Sequence, residues 1–190
     1  MNPIVLILCA AVVLLPAVYV LVQYNTLVGL RNYIRVSWSD VDVELKRRYD
    51  LIPNLVAAVK GYAAHERGVM ERVAELRNRC AANNGPVADQ SRDEIQLVDA
   101  LKQLLAVVEN YPQLKADQNF LKLQTELVNT EDRIQAARRF YNGNVRDYRN
   151  KCETFPSNLV ARGFGFKSEG DFFSVPPSVR DVPNVDFATS

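Results

Sequence analysis

Residues 3–22 read PIVLILCAAVVLLPAVYVLV, and no Asp, Glu, Lys or Arg stands anywhere before Arg31. Twenty apolar residues at ~1.5 Å rise cover ~30 Å, the hydrocarbon thickness of a bilayer. Tyr19 is the one side chain in the run with a strong hydrogen-bonding group. Pro16 is tolerable there, because a lipid-buried helix finds other partners for the freed carbonyl, and a kink is its common consequence. A cleavable signal peptide would need a basic start, a shorter apolar core and a small-residue cleavage site. Only Met-Asn-Pro precedes the run, Tyr24-Asn25-Thr26 follows it, and Leu8 stands where a lipoprotein signal needs a small residue before Cys9. The run is expected to stay as an uncleaved transmembrane anchor over residues 1–24. Arg31 and Arg35 follow it with no acid before Asp40. The excess of basic flanks on that side predicts a body in the cytoplasm and an outside N-terminus.

Outward from the anchor, the chain changes character. The protein has 190 residues, and its 23 basic and 22 acidic side chains nearly cancel, so nothing favours nucleic acid. Beyond the anchor the apolar residues recur in 3-4 alternation, the heptad signature of coiled and bundled helices. Leu27, Leu30, Ile34, Trp38, Val41 and Leu45 form a first stripe, ending at Lys46-Arg47-Arg48, basic residues suited to a helix C-terminus. Asp50 and Pro53 then carry helix-start chemistry, which predicts a tight reversal into a second helix. Its seam is Ile52, Leu55, Val59, Tyr62, Glu66, Val69, Val73 and Leu76, closed by Asn83-Asn84-Gly85-Pro86.

A third helix is expected from Ser91, with Glu94 at capping-box spacing, and Ile95, Val98, Leu101, Leu105 and Val108 on its inner face. The fourth carries Phe120, Gln124, Leu127, Glu131, Ile134, Arg138, Tyr141, Val145, Tyr148 and Cys152. The predicted fold is all-α: a transmembrane helix followed by an antiparallel up-down bundle over residues 25–156. Residues 157–190 form a tail with aromatics among glycines and an extended proline-containing stretch from Val175 to Phe187.

Glu66, Gln124, Glu131 and Arg138 sit at seam positions that the pattern reserves for apolar side chains. Lone charges there cost several kcal/mol unless paired. Counting from the expected turns, Glu66 is level with Arg35 and Glu131 with Arg31. A buried ionic layer of Arg31, Arg35, Glu66 and Glu131 is therefore expected, fixing helix register and topology. The alternative puts these side chains at the bundle edge, in water. The fourth helix is also longer than the first allows. Either it bends near Gly143, or the anchor splays, or residues 155–166 dock at the headgroups. Phe155, Phe164 and Phe166, with Arg162 and Lys167, suit such an interfacial segment, and a simple surface cap is the alternative.

Catalytic and metal chemistry finds no footing. His65 is the sole histidine, Tyr62 stands where a Glu-x-x-His pair would need Glu, and position 69 is Val, so H-E-x-x-H fails. No phosphate-binding glycine motif occurs. No catalytic residue, metal, cofactor or small-molecule substrate is expected. Cys80 and Cys152 read as free thiols in a reducing compartment.

The stretches LKRRYDLIPNLVAAVKGYAAHE (45–66), ENYPQLKADQNFLKLQTEL (109–127), RRFYNGNVRDYRNK (138–151) and FPSNLVARGFGFK (155–167) carry a resemblance. With Tyr24-Asn25, Leu27-Val28, Arg31-Asn32 and Trp38, they resemble the LemA family of bacterial membrane proteins. The resemblance implies an N-terminal anchor, an outside N-terminus and a cytoplasmic antiparallel helical bundle, and it implies no catalytic residues. One departure is Tyr49, where the family commonly has His. The function expected is a scaffold or interaction module at the inner leaflet, self-associating or binding protein partners. The alternative is a membrane-surface binder or remodeller using the juxtamembrane arginines and the Phe-rich tail.

Overall fold

A computed structural model describes residues 3–168 and 170–173. It is all-helical, with no strand among the described residues. The elements are α1 (Pro3–Tyr62), α2 (Arg67–Ala82), α3 (Val87–Val108), α4 (Pro112–Lys115), α5 (Gln118–Glu153) and α6 (Ser157–Gly163). The described residues divide into two compact units, one of residues 3–43 with 135–168 and 170, the other of residues 44–134 with 171–173.

The predicted reversal at Asp50–Pro53 does not occur, and α1 runs on to Tyr62. Proline inside a helix leaves the carbonyl four residues back without its N–H donor. Here that carbonyl is Tyr49's, and Arg77 Nε donates to it at 2.9 Å. The lost backbone bond is replaced, so the helix continues. The break comes later, at residues 63–66, where Glu66 N donates to Ala63 O at 3.0 Å. Ala63 is buried there, and Tyr62, expected in the seam, is exposed.

In the second unit, α2 packs against α3. Asn83 closes their turn by accepting from Gly85 N and donating to Asp93, at 2.9 and 2.8 Å. Asp117 starts α5 by accepting from the N–H groups of Asn119 and Phe120, each at 2.9 Å. The core is Leu45, Ile52, Leu55, Val59, Val73, Leu76, Leu97, Leu104, Phe120, Leu127 and Ile134, all buried.

In the first unit, α1 and α5 run antiparallel. Trp38 meets Tyr141 edge-on at 5.2 Å, Asn144 Nδ2 reaches Tyr33 O at 3.5 Å, and Leu27 shares a cluster with Tyr148 and Cys152. Gly143 sits within α5 without ending it. α6 adds Val160 and Ala161 to that cluster, against which Tyr19, Val20, Leu30, Ile34 and Phe166 pack. Among the described residues, α1 is the one helix long and apolar enough to cross a membrane, and its apolar window is almost wholly exposed.

Candidate functional site

Two features stand apart from ordinary packing, one in each unit. In the second unit a charged side chain lies at the centre of the core. Arg48, from α1, is 1% exposed. Its Nη1 donates to Glu131 Oε1 of α5 at 2.7 Å, and its Nη2 donates to Glu94 Oε2 of α3. The Tyr49 hydroxyl takes the other Glu94 oxygen, and Gln90 Nε2 donates to that hydroxyl at 3.3 Å. One guanidinium thus ties three helices, and both oxygens of the buried Glu94 are used. Arg48 Nε is left with no partner among the described residues. Both oxygens of Glu94 are engaged inside the core by side chains of α1. Such a centre holds helices in one register. Burial pushes the nearby Cys80 thiol up to about 11, with Arg48 pulling against it, so Cys80 is an unreactive thiol.

The expected layer of Arg31, Arg35, Glu66 and Glu131 is therefore built differently. Glu131 takes part, with Arg48 as its cation. Arg31 and Arg35 are exposed, and the Arg31 guanidinium lies 5.4 Å from the centre of the Phe166 ring. Glu66 is half-buried at the start of α2. The level count assumed a turn at Asp50, and α1 has none there, so the register on which the pairs rested does not exist. Arg48 had looked like helix-end charge. Glu94 had looked like a cap, but α3 starts at Val87, so Gln90, Ser91 and Glu94 lie inside it and are buried. Gln90, Glu94, Leu97, Leu101, Leu104 and Val108 keep 4-3 spacing, the signal that could have found them.

In the first unit, the predicted interfacial residues form a collar beside α1. Helix α6 ends in a Schellman motif: Phe166 N donates to Ala161 O at 2.8 Å and Gly165 N to Arg162 O at 3.3 Å. Gly165 has φ +72, the left-handed region that this turn needs and glycine adopts freely. The turn sets Phe164 and Phe166 against Tyr24, with ring centres 5.1 and 5.6 Å away. Phe155, Arg162, Phe164 and Lys167 are exposed, and Phe166 is half-buried. Beyond the collar the chain runs back along α5. Ser168 Oγ donates to Glu153 Oε1 at 2.6 Å, and Arg149 Nη2 to Gly170 O at 2.6 Å. A Cβ on Gly170 would come within 3.3 Å of Val145. The extended stretch expected from Val175 to Phe187 lies outside the described residues.

An exposed apolar helix that continues into a helical body, built around a buried ion pair, marks a membrane-associated helical protein. The chain belongs to the LemA family, whose model matches residues 37–187. It is similar to magnetosome protein MamQ 2 of Paramagnetospirillum magneticum, 27% identical over 188 residues, covering 86% of this chain and 68% of the relative. It is also similar to magnetosome protein MamQ of Magnetospirillum gryphiswaldense, 25% identical over 202 residues, covering 92% and 74%. Protein LemA of Metamycoplasma hominis is 28% identical over 168 residues, covering 87% of this chain and 74% of that one.

Proposed function

We propose that this chain is a single-pass protein of a bacterial cell membrane, N-terminus outside and helical body in the cytoplasm. In this reading the body is a scaffold that pairs laterally with further copies of itself, and no catalytic step is assigned to it. The orientation rests on Arg31 and Arg35 as the basic flank of the apolar run. Relatives that are magnetosome proteins by name support a membrane role.

The observation that carries the scaffold is a second stripe on α1. Leu27, Leu30, Ile34, Trp38, Val41 and Leu45 occupy the inner side. Val22, Gly29, Tyr33, Val36 and Val43 lie on the opposite side at spacings of 7, 4, 3 and 7, each one or two heptad steps apart, with polar Thr26 and Asp40 at the intervening positions. Val22, Tyr33, Val36 and Val43 are 53–60% exposed, which singly would mean nothing but in register makes a seam. Copies anchored through the same helix share one orientation in the bilayer. The same stripe can therefore face itself in parallel, and a second copy is the partner that fits it.

Size-exclusion chromatography with light scattering on the detergent-solubilised full chain tests this. An oligomer is expected, and Val36→Lys with Val43→Lys should shift it towards monomer. A wild-type chain that stays monomeric at micromolar concentration would remove the self-pairing scaffold.

A further inference from the structure

The collar carries a feature that lateral pairing leaves unexplained. Phe155 is 74% exposed, Leu159 61% and Phe164 56%, within ten residues of one another. Three large apolar side chains so close together and so open to water call for a partner. Their position along α1 says which. Val160 and Ala161 of α6 share a buried cluster with Leu27, against which Tyr19 and Val20 also pack, and Phe164 meets Tyr24, so α6 stands beside the end of the apolar run and the turn after it. Tyr24 at the end of that run, flanked by Phe164 and Phe166, has the amphipathic aromatic character of a bilayer interface. Arg31, whose guanidinium lies 5.4 Å from the Phe166 ring, and Arg162 and Lys167, beside Phe164 and Phe166 in the chain, are exposed cations. Of the nearby acids, Glu153 is held by Ser168.

We infer that Phe155, Leu159 and Phe164 insert into the headgroup and upper acyl region of the bilayer that α1 crosses, with Arg162 and Lys167 at the phosphates. The protein then holds its membrane twice, once by the anchor and once by the collar. Seven residues of α6 are too few to be helical alone. Docking on α1 through Val160 and Ala161 supplies the order, and the outward side chains are left for lipid. The inference rests on the reading of α1 as a membrane span and is independent of self-association.

The test uses the full chain in vesicles of phosphatidylcholine and phosphatidylglycerol, with Trp38 replaced by Phe so that one new tryptophan reports. Leu159→Trp and Phe155→Trp are the probes. Val13→Trp reports the span, and Phe140→Trp, exposed on α5, reports the aqueous side. Lipids brominated high on the acyl chain should quench most of the Leu159→Trp and Phe155→Trp emission and leave Phe140→Trp bright. Lipids brominated near the chain end should quench Val13→Trp most. If Val13→Trp is quenched while both probes behave like Phe140→Trp and yield to aqueous iodide, the collar faces water or protein and the inference fails with the span intact. If Val13→Trp is itself unquenched, the span reading fails and the inference with it.

Discussion

Arg77 Nε donates at 2.9 Å to the carbonyl of Tyr49, the one acceptor in α1 that Pro53 cannot serve. A side chain of α2 thus replaces a backbone donor of α1, and the helix crosses its proline without ending. A buried carbonyl left without a donor costs about 1–3 kcal/mol.

Arg77→Leu should therefore destabilise the second unit by roughly 1–2 kcal/mol. Pro53→Ala restores the missing N–H, and in that background the same change should cost measurably less. Denaturant unfolding of the four variants in detergent, read as a double-mutant cycle, checks the coupling. Equal costs in both backgrounds would mean that Arg77 acts through its stem packing alone.

The ionic centre predicts a different pattern. Arg48→Met strands Glu94, a carboxylate 4% exposed, and should cost about 3–5 kcal/mol. Adding Glu94→Met removes the stranded charge, so the double variant should be more stable than Arg48→Met alone. Glu131 is 29% exposed, and Glu131→Gln should cost no more than about 1 kcal/mol. Thermal unfolding followed by circular dichroism ranks the three.

The same two sites show what the sequence made legible. The α5 seam is in the structure as its spacing implies: Phe120, Leu127, Ile134, Tyr141, Val145, Tyr148 and Cys152 are buried, and Gln124, Glu131 and Arg138 are half-buried between them. Periodicity there speaks for the whole helix at once. Pro53 could not be read that way. Its local chemistry is that of a helix start, and the donor that overrules it lies on another helix. A turn placed at Asp50 shifts every cross-helix level, so spacing alone pairs Glu131 with Arg31 where the structure gives it Arg48. The collar was legible in composition, from aromatics beside basic residues. Its docking on α1 was not, because it depends on a left-handed glycine turn and a seven-residue helix without a periodic signature.

Cys80 gives a pH dependence whose sign is fixed. Burial raises its thiol from 9.0 to about 11, so the folded chain holds a proton that the unfolded chain releases. The stability this contributes is present below pH 9 and is lost as pH rises towards 11. Cys80→Ala should flatten the fall in melting temperature across that window relative to wild type. Native protein should also resist alkylation at Cys80 until denaturant is added.

Trp38 is the chain's single tryptophan and meets Tyr141 edge-on at 5.2 Å. Tyr141 is 3% exposed. Tyr141→Ala should cost about 3–5 kcal/mol, the usual loss for a buried aromatic, and shift Trp38 emission to longer wavelength. Tyr141→Phe should keep both close to wild type if ring packing, not the hydroxyl, carries the contact.

With α1 as the span and the collar seated as inferred, the two grips on the bilayer differ in kind. Around Tyr19 and Val20 the anchor belongs to a helix of 60 residues, Pro3–Tyr62, whose length does not depend on one docking contact. The seven residues of α6 have no such reserve and persist only while their inner side chains stay seated. A thinner bilayer or a poorer supply of anionic lipid would therefore loosen the short helix first and leave the anchor in place. The patch around Tyr24 would then alternate between a seated and a lifted state, a response to lipid that the anchor alone would not give.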